Sequence, residues 1–260
     1  MREWNAETYH RVSNPQFDWG TVVLGRLPLD GDECVLDVGC GTGRLTEQLL
    51  TRLPRGRVVG IDQSSNMVRV AHDHLRGHGR RAQMVVADAA ALPMREQADA
   101  VFSTATLHWV LDHPRLFRGL FDALKPGGRL VAQCGGGAGN LVRIHHRTDA
   151  LMADSRFAGH FTNWSEPWEF ADAETTARRL TDAGFEDVLT WLEQSPVLFP
   201  DADAFRTFVT NVICGPYLAH LPDPTLQDAF IDEVTRLAAT DDPPFELDYW
   251  RLNISARRPG

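Results

Sequence analysis

Val35-Leu36-Asp37-Val38-Gly39-Cys40-Gly41-Thr42-Gly43 decides the fold of this chain. Val35, Leu36 and Val38 are the short apolar run expected of a strand covered on both faces. Gly39, Gly41 and Gly43 follow at once, removing Cβ atoms where a ligand must come close to the backbone. A helix is expected to begin near Arg44. Asp37, at the strand's carboxyl end, is expected on the lip where open α/β sheets bind their ligands. Strand, glycine turn and helix read as a cofactor site. A dinucleotide fingerprint would need a small residue where Arg44 stands, which argues against a nicotinamide oxidoreductase.

Working outward, Arg57-Val58-Val59-Gly60-Ile61-Asp62 is a second strand that ends in an acid. A carboxylate there can accept hydrogen bonds from both hydroxyls of a ribose. Gln63-Ser64-Ser65-Asn66-Met67 has the composition of a helix N-cap segment. Residues 82–89 form a third strand leading to Asp88 and Ala89, and Ala98 to Ala105 a fourth. Lys125-Pro126-Gly127-Gly128 makes the reversal from a helix, Arg115–Leu124, into a fifth strand.

The acid followed by G-x-G-x-G, with Asp62 and Asp88 at their spacings, resembles the class I S-adenosylmethionine-dependent methyltransferases. That resemblance covers roughly residues 30–135. It implies an α/β, Rossmann-like, doubly wound and mostly parallel seven-stranded sheet, with helices on both faces and a helical cap. It implies S-adenosyl-L-methionine as cofactor, bound by Asp37, Gly39, Cys40, Gly41, Gly43, Asp62, Gln63, Met67, Asp88, Ala89 and Thr104. Within that set Asp62 would serve the ribose, Met67 would pack on the adenine, and Asp88 with the Ala89 amide would hold the adenine edge.

The opening Trp4-Asn5-Ala6-Glu7-Thr8-Tyr9 and the segment from Leu107 to His113 look like the trans-aconitate methyltransferase branch, whose members methylate carboxylates. His108 stands where that branch often has Gln. Tyr9 resembles a residue that closes over the cofactor carboxylate, and Trp4 is expected beside it on the acceptor side.

The rest of the chain divides around that core. The whole of 1–260 reads as one domain: an N-terminal helical segment (1–30), the cofactor core (31–135), cap segments (136–172 and 200–244) and sheet completion (173–199 and 245–260). The run Gly135-Gly136-Gly137-Ala138-Gly139-Asn140 is a hinge, a linker or a close approach to ligand. The sixth strand is expected over Asp187–Phe199 and the last over Phe245–Ala256.

Composition narrows the partners. A net charge of −9 is unlike the basic stripe of nucleic-acid binders, and the arginine clusters near 52–57 and 76–81 read as solvated faces. No apolar run reaches the ~18 residues that span a bilayer, and the N-terminus has no apolar signal core. The four cysteines show no metal-like spacing, and His145 and His146 have no third ligand at suitable spacing. A cytoplasmic enzyme acting on a small-molecule methyl acceptor, with no nucleic acid, membrane or metal, is expected.

Methyl transfer from a sulfonium needs alignment and exclusion of water more than charge stabilisation. O-methylation of a carboxylate or hydroxyl is the favoured chemistry. C- or N-methylation, and a cofactor-binding protein without catalysis, stay open. His108, just past strand four, is the candidate catalytic residue, either as base or as acceptor-orienting group. Trp109, Trp164 and Tyr217 are the candidate acceptor walls, with core packing as the competing reading for each. Arg143 and Arg147 either hold an anionic acceptor or lie on a solvated helix face.

Overall fold

The computed structural model describes Ala6 and residues 13–260. Helix α1 (Asn14–Gly25) precedes β1 (Cys34–Val38), α2 (Arg44–Arg52), β2 (Arg57–Asp62), α3 (Ser65–His74) and β3 (Ala82–Val86). Next come β4 (Ala98–Thr104), a 3-10 turn (Leu107–Trp109), α4 (His113–Ala123) and β5 (Leu124–Gly135). Helix α5 (Val142–Ala153) opens the cap. Then follow α6 (Ala173–Asp182), β6 (Glu186–Gln194), β7 (Val197–Leu198) and α7 (Ala202–Phe208). A π-helical stretch (Val209–Ile213), α8 (Gly215–Leu218), α9 (Pro224–Ala238), β8 (Glu246–Leu247) and β9 (Trp250–Arg257) complete the chain.

The main sheet has seven strands in the order β3-β2-β1-β4-β5-β9-β6. Strands β1 to β5 pair in parallel, and β9 runs antiparallel to both β5 and β6. This is the mostly parallel, doubly wound sheet that the motifs imply. Strand alternation explains why both faces are covered. Leu36, Val38 and Val101 enter one core with Leu116, Phe117 and Leu120 of α4, whereas Val35, Ala100 and Phe102 enter another with Leu49 and Leu50 of α2. Asp112, Asp172 and Asp223 cap α4, α6 and α9 by accepting main-chain N–H bonds.

Two expected boundaries move. Strand six stops at Gln194, because Ser195-Pro196 breaks the ladder and Val197–Leu198 pairs with Glu246–Leu247 in a separate two-stranded ladder. The last strand of the main sheet accordingly begins at Trp250, not Phe245. The Lys-Pro-Gly-Gly reversal lies inside β5, where pairing jumps from Ala98↔Leu124 to Ala100↔Arg129. Lys125 Nζ holds Asp99 Oδ1 at 2.7 Å across that jump.

A third apolar cluster lies outside the sheet. Phe157, Phe205, Phe208 and Phe230 are its fully buried centre, contributed by segments on either side of β6. It stands over the carboxyl end of the sheet, and between them runs a cleft of about 380 Å³. Order β2-β1-β4 places the topological switch point at β1 and β4, where this architecture binds ligands.

Candidate active site

The glycine turn is hooked onto β2. The Gly39 and Cys40 amides both donate to the Ile61 carbonyl, at 2.8 and 2.9 Å. The Gly41 amide donates to Asp62 Oδ2 at 3.1 Å, and the Ser64 amide donates to Oδ1 of the same carboxylate at 2.9 Å. Asp62 is thereby fixed at the end of β2 with its carboxylate on the cleft wall.

Strand order arranges the wall from one end to the other. Asp88 and Ala89 follow β3; Asp62, Gln63 and Met67 follow β2; Gly39 and Gly41 follow β1; Thr104 closes β4. His108 and Trp109 come from the 3-10 turn beyond β4, and Asn140, His145, Trp168, Phe170 and Arg251 stand over β5 and β9. Ala105 adopts φ +53°, an uncommon left-handed conformation that turns the chain out of β4 into the cleft.

His108 is held from three sides. Its Nδ1 accepts the Gly135 amide at 3.4 Å, which leaves the ring proton of the neutral form on Nε2. Its carbonyl accepts the Glu169 amide at 2.8 Å. The preceding carbonyl, of Leu107, accepts from His113 Nε2 at 3.2 Å, and His113 Nδ1 accepts from Arg179 Nη1 at 2.9 Å. Arg179 also donates through both Nη atoms to Glu169 Oε1, each at 3.0 Å. Burial, with Arg251 and His113 adding to it, holds the His108 ring well below the usual histidine range.

Known proteins resemble this chain. A family model described as a methyltransferase domain matches residues 35–128. The trans-aconitate 2-methyltransferase of Variovorax paradoxus is 32% identical over 91% of this chain and 89% of its own length. The enzyme of that name from Streptomyces coelicolor is 34% identical over 88% of this chain and 77% of its own.

The chain is a class I S-adenosylmethionine-dependent methyltransferase of the trans-aconitate branch.

A solved structure agrees on the fold. Phosphoethanolamine N-methyltransferase 2 from Haemonchus contortus, in complex with S-adenosylhomocysteine, superposes with a TM-score of 0.65 at 19% identity. The match covers 98% of this chain and 57% of that longer one.

Within this methyltransferase the expected site residues separate into two groups. Gly39, Gly41, Asp62, Gln63, Met67, Asp88, Ala89, Thr104, His108 and Trp109 come together on the cleft wall. Asp37, Cys40 and Gly43 do not. Asp37, expected on the lip, is 2% exposed and accepts from Thr46 Oγ1 at 2.6 Å beneath the turn. Burial pushes its carboxyl up to about 7, against the lowering effect of that bond. Cys40 points inward, its Cβ within 3.0 Å of where a Gly60 Cβ would stand. Gly43 packs on Ala71 and Leu75 of α3 and its C-cap.

Trp164 and Tyr217, expected at the acceptor wall, belong instead to the cap: Tyr217 lies inside its core and Trp164 packs half-buried against it. Their rings stack at 4.6 Å, and the Tyr217 hydroxyl is hydrogen-bonded to Thr148 Oγ1. Arg143 and Arg147 face acidic side chains of the protein itself, Arg147 buried and Arg143 partly exposed. Arg147 pairs with Asp241, and Arg143 lies 3.3 Å from Glu246. Trp4 and Tyr9 lie outside the described residues.

The sequence reading missed several cleft residues of the methyltransferase. Gln16 of α1 and Asn140 are buried on the wall. Asn140 Oδ1 accepts the Trp250 amide at 3.0 Å, which leaves Nδ2 as a buried donor with no partner among the described residues. Gln16 Oε1 is an acceptor in the same condition. Arg251 is 2% exposed, with its guanidinium 4.5 Å from the Trp19 ring centroid. A charged residue inside the apolar final strand, Trp250-Arg251-Leu252, was the available signal.

Proposed function

We propose that this methyltransferase transfers a methyl group to an oxygen of a small-molecule carboxylate. The observation that carries the reading is His108. A ring that burial keeps neutral, with Nδ1 already accepting the Gly135 amide, is a poor base for a phenol or a carbon acid. His145, the second histidine on the wall, is likewise held below its ordinary range by burial. A carboxylate, with a reference pKa near 4, is already ionised and needs only to be held. The relatives named for trans-aconitate support an acid as acceptor.

The residues present fit S-adenosylmethionine. Gly41 has φ +53° and nothing within 4 Å of where its Cβ would stand, so the turn leaves open a cradle that a side chain would fill. In this reading Gly39 and Gly41 take the methionine portion, Asp62 and Gln63 the ribose, and Met67, Asp88 and Ala89 the adenine. The cofactor supplies an electrophilic methyl on a sulfonium. His108 donates from Nε2 to the acceptor and orients it, and the cap segments 136–172 and 200–244 exclude water. Trp109 is the wall that separates that acceptor from solvent.

Calorimetry with S-adenosylhomocysteine and transfer of a radiolabelled methyl test the two halves. Binding should be lost in Asp62→Ala, and an undiminished affinity there overturns the cofactor assignment. The methylated product should release methanol in alkali, as an ester does. An alkali-stable product would mean that a carboxylate is not the acceptor.

A further inference from the structure

The end of the cleft beyond His108 is built around one glycine. Gly135 gives its amide to His108 Nδ1 and pairs with Arg251 across the β5–β9 ladder. A Cβ on Gly135 would stand 2.9 Å from Asn140 Nδ2 and 3.0 Å from the Phe170 ring. The missing side chain thus lets a buried amide donor, a buried guanidinium and a histidine Nε2–H gather at one place. Asn140 is 2% exposed, and its Nδ2 is the donor without a partner among the described residues. A buried donor left so is costly unless a ligand accepts from it. Asn140 Nδ2, the Arg251 guanidinium and His108 Nε2 all donate, and an anion is what such a set holds.

Charge then limits how much anion fits. Arg251, whose Nε also donates to Gln133 Oε1 at 3.3 Å, is the only arginine or lysine among the described residues of the cleft wall. Asp62, Asp88 and Asp112 line the rest. The surface beside it is apolar, with Leu141, Val212 and Ile213 and a group of stacked rings. The His145, Trp168 and Phe170 rings lie within 20° of parallel, with centroids 5.1 to 5.8 Å apart. Such a wall matches the face of a conjugated or aromatic body.

Building on the carboxylate reading, we propose that Asn140 and Arg251 form the acceptor's carboxylate subsite and that the acceptor is a flat, apolar monocarboxylic acid. One carboxylate oxygen lies on these donors and the other faces the methyl group. A tricarboxylate would bring three negative charges to the single arginine that the described residues place on the wall.

The test uses the full chain saturated with S-adenosylhomocysteine, and trans-cinnamate, cinnamamide and trans-aconitate as probes in calorimetry. Cinnamate should bind at least tenfold more tightly than trans-aconitate, and the neutral amide at least tenfold more weakly than cinnamate. Asn140→Asp keeps the bond to the Trp250 amide and replaces the donor by a repelling oxygen. It should weaken cinnamate at least tenfold while leaving S-adenosylhomocysteine within twofold of the parent. Arg251→Gln should do the same. If that buried replacement does not fold, Asn140→Asp decides alone. Tighter binding of trans-aconitate, absence of cinnamate binding, or an equal loss of S-adenosylhomocysteine in Asn140→Asp overturns the proposal. An alkali-labile ester formed on trans-aconitate and not on cinnamate would also overturn it, while leaving the carboxylate reading intact. An alkali-stable product from any acceptor counts against that reading instead.

Discussion

Gly39 and Gly41 are two residues apart and serve different ends. A Cβ on Gly39 would stand 1.9 Å from Thr106 Oγ1, so its smallness is demanded by the protein's own chain leaving β4. A Cβ on Gly41 meets nothing within 4 Å and would occupy the cleft. Both have positive φ, so alanine at either carries a backbone cost of about 1 kcal/mol. Gly39→Ala should add a clash with packed neighbours and lower the melting temperature far more than Gly41→Ala. Gly41→Ala should fold and lose at least tenfold in S-adenosylhomocysteine affinity. Thermal melts and calorimetry on the pair check this, and parental affinity in Gly41→Ala would refute the cradle. Asp37 shows the limit of reading a motif residue by residue. The sequence places a carboxylate at the strand's end, but only the alternation of β1 against a covered face shows it turned inward to Thr46.

At the scale of elements, the short turn Leu107–Trp109 depends on α6 for its position. His113, Arg179 and Glu169 form one hydrogen-bonded chain that ends on the carbonyls of Leu107 and His108. Arg179→Met leaves Glu169 and His113 without their shared donor, a loss of about 1–3 kcal/mol. It should also lower kcat at least tenfold with S-adenosylhomocysteine affinity unchanged, because the turn carrying His108 loses its brace. An unchanged kcat in the folded variant would show that α6 does not position the turn. The elements themselves were legible wherever glycine or proline punctuates a periodic run: β1, β2, α2 and α6 lie where the pattern puts them. The brace was not legible, since Arg179 and His113 are 66 residues apart and Arg179 belongs to no motif. Arg251 escaped for the same reason. Strand β9 reads as sheet completion, and only its pairing with Gly135 brings that side chain to the acceptor end.

The whole molecule is two packed bodies, sheet and cap, with buried and half-buried histidines where they meet. His108 and His145 line the cleft between them, and His113 supports its floor. Burial is the first cause that holds each of the three below the ordinary value of 6.5, with nearby Arg179 also acting on His113. Above that value the folded and unfolded chains both carry them neutral, and stability does not depend on their protons. As pH falls through it, the unfolded chain takes up protons that the folded chain refuses, and stability is lost. Asp37 acts in the opposite sense. Its folded-state value near 7 lies above 3.8, so its contribution grows as pH falls from about 7 and is lost as pH rises through that value. Between pH 6.5 and 5 the three histidine shifts lower stability and the single Asp37 shift opposes them. The melting temperature should therefore fall steadily across that interval. His108→Gln removes one of the three titrating groups and keeps a polar side chain of similar reach, so its melting curve should depend less steeply on pH than the parent's. A parent melting temperature that is flat or rises down to pH 5, measured at constant ionic strength, would mean that the cleft histidines take up protons in the folded state. His108 could then present a charged ring to the acceptor, and its assignment as a neutral donor would fall with the pH argument.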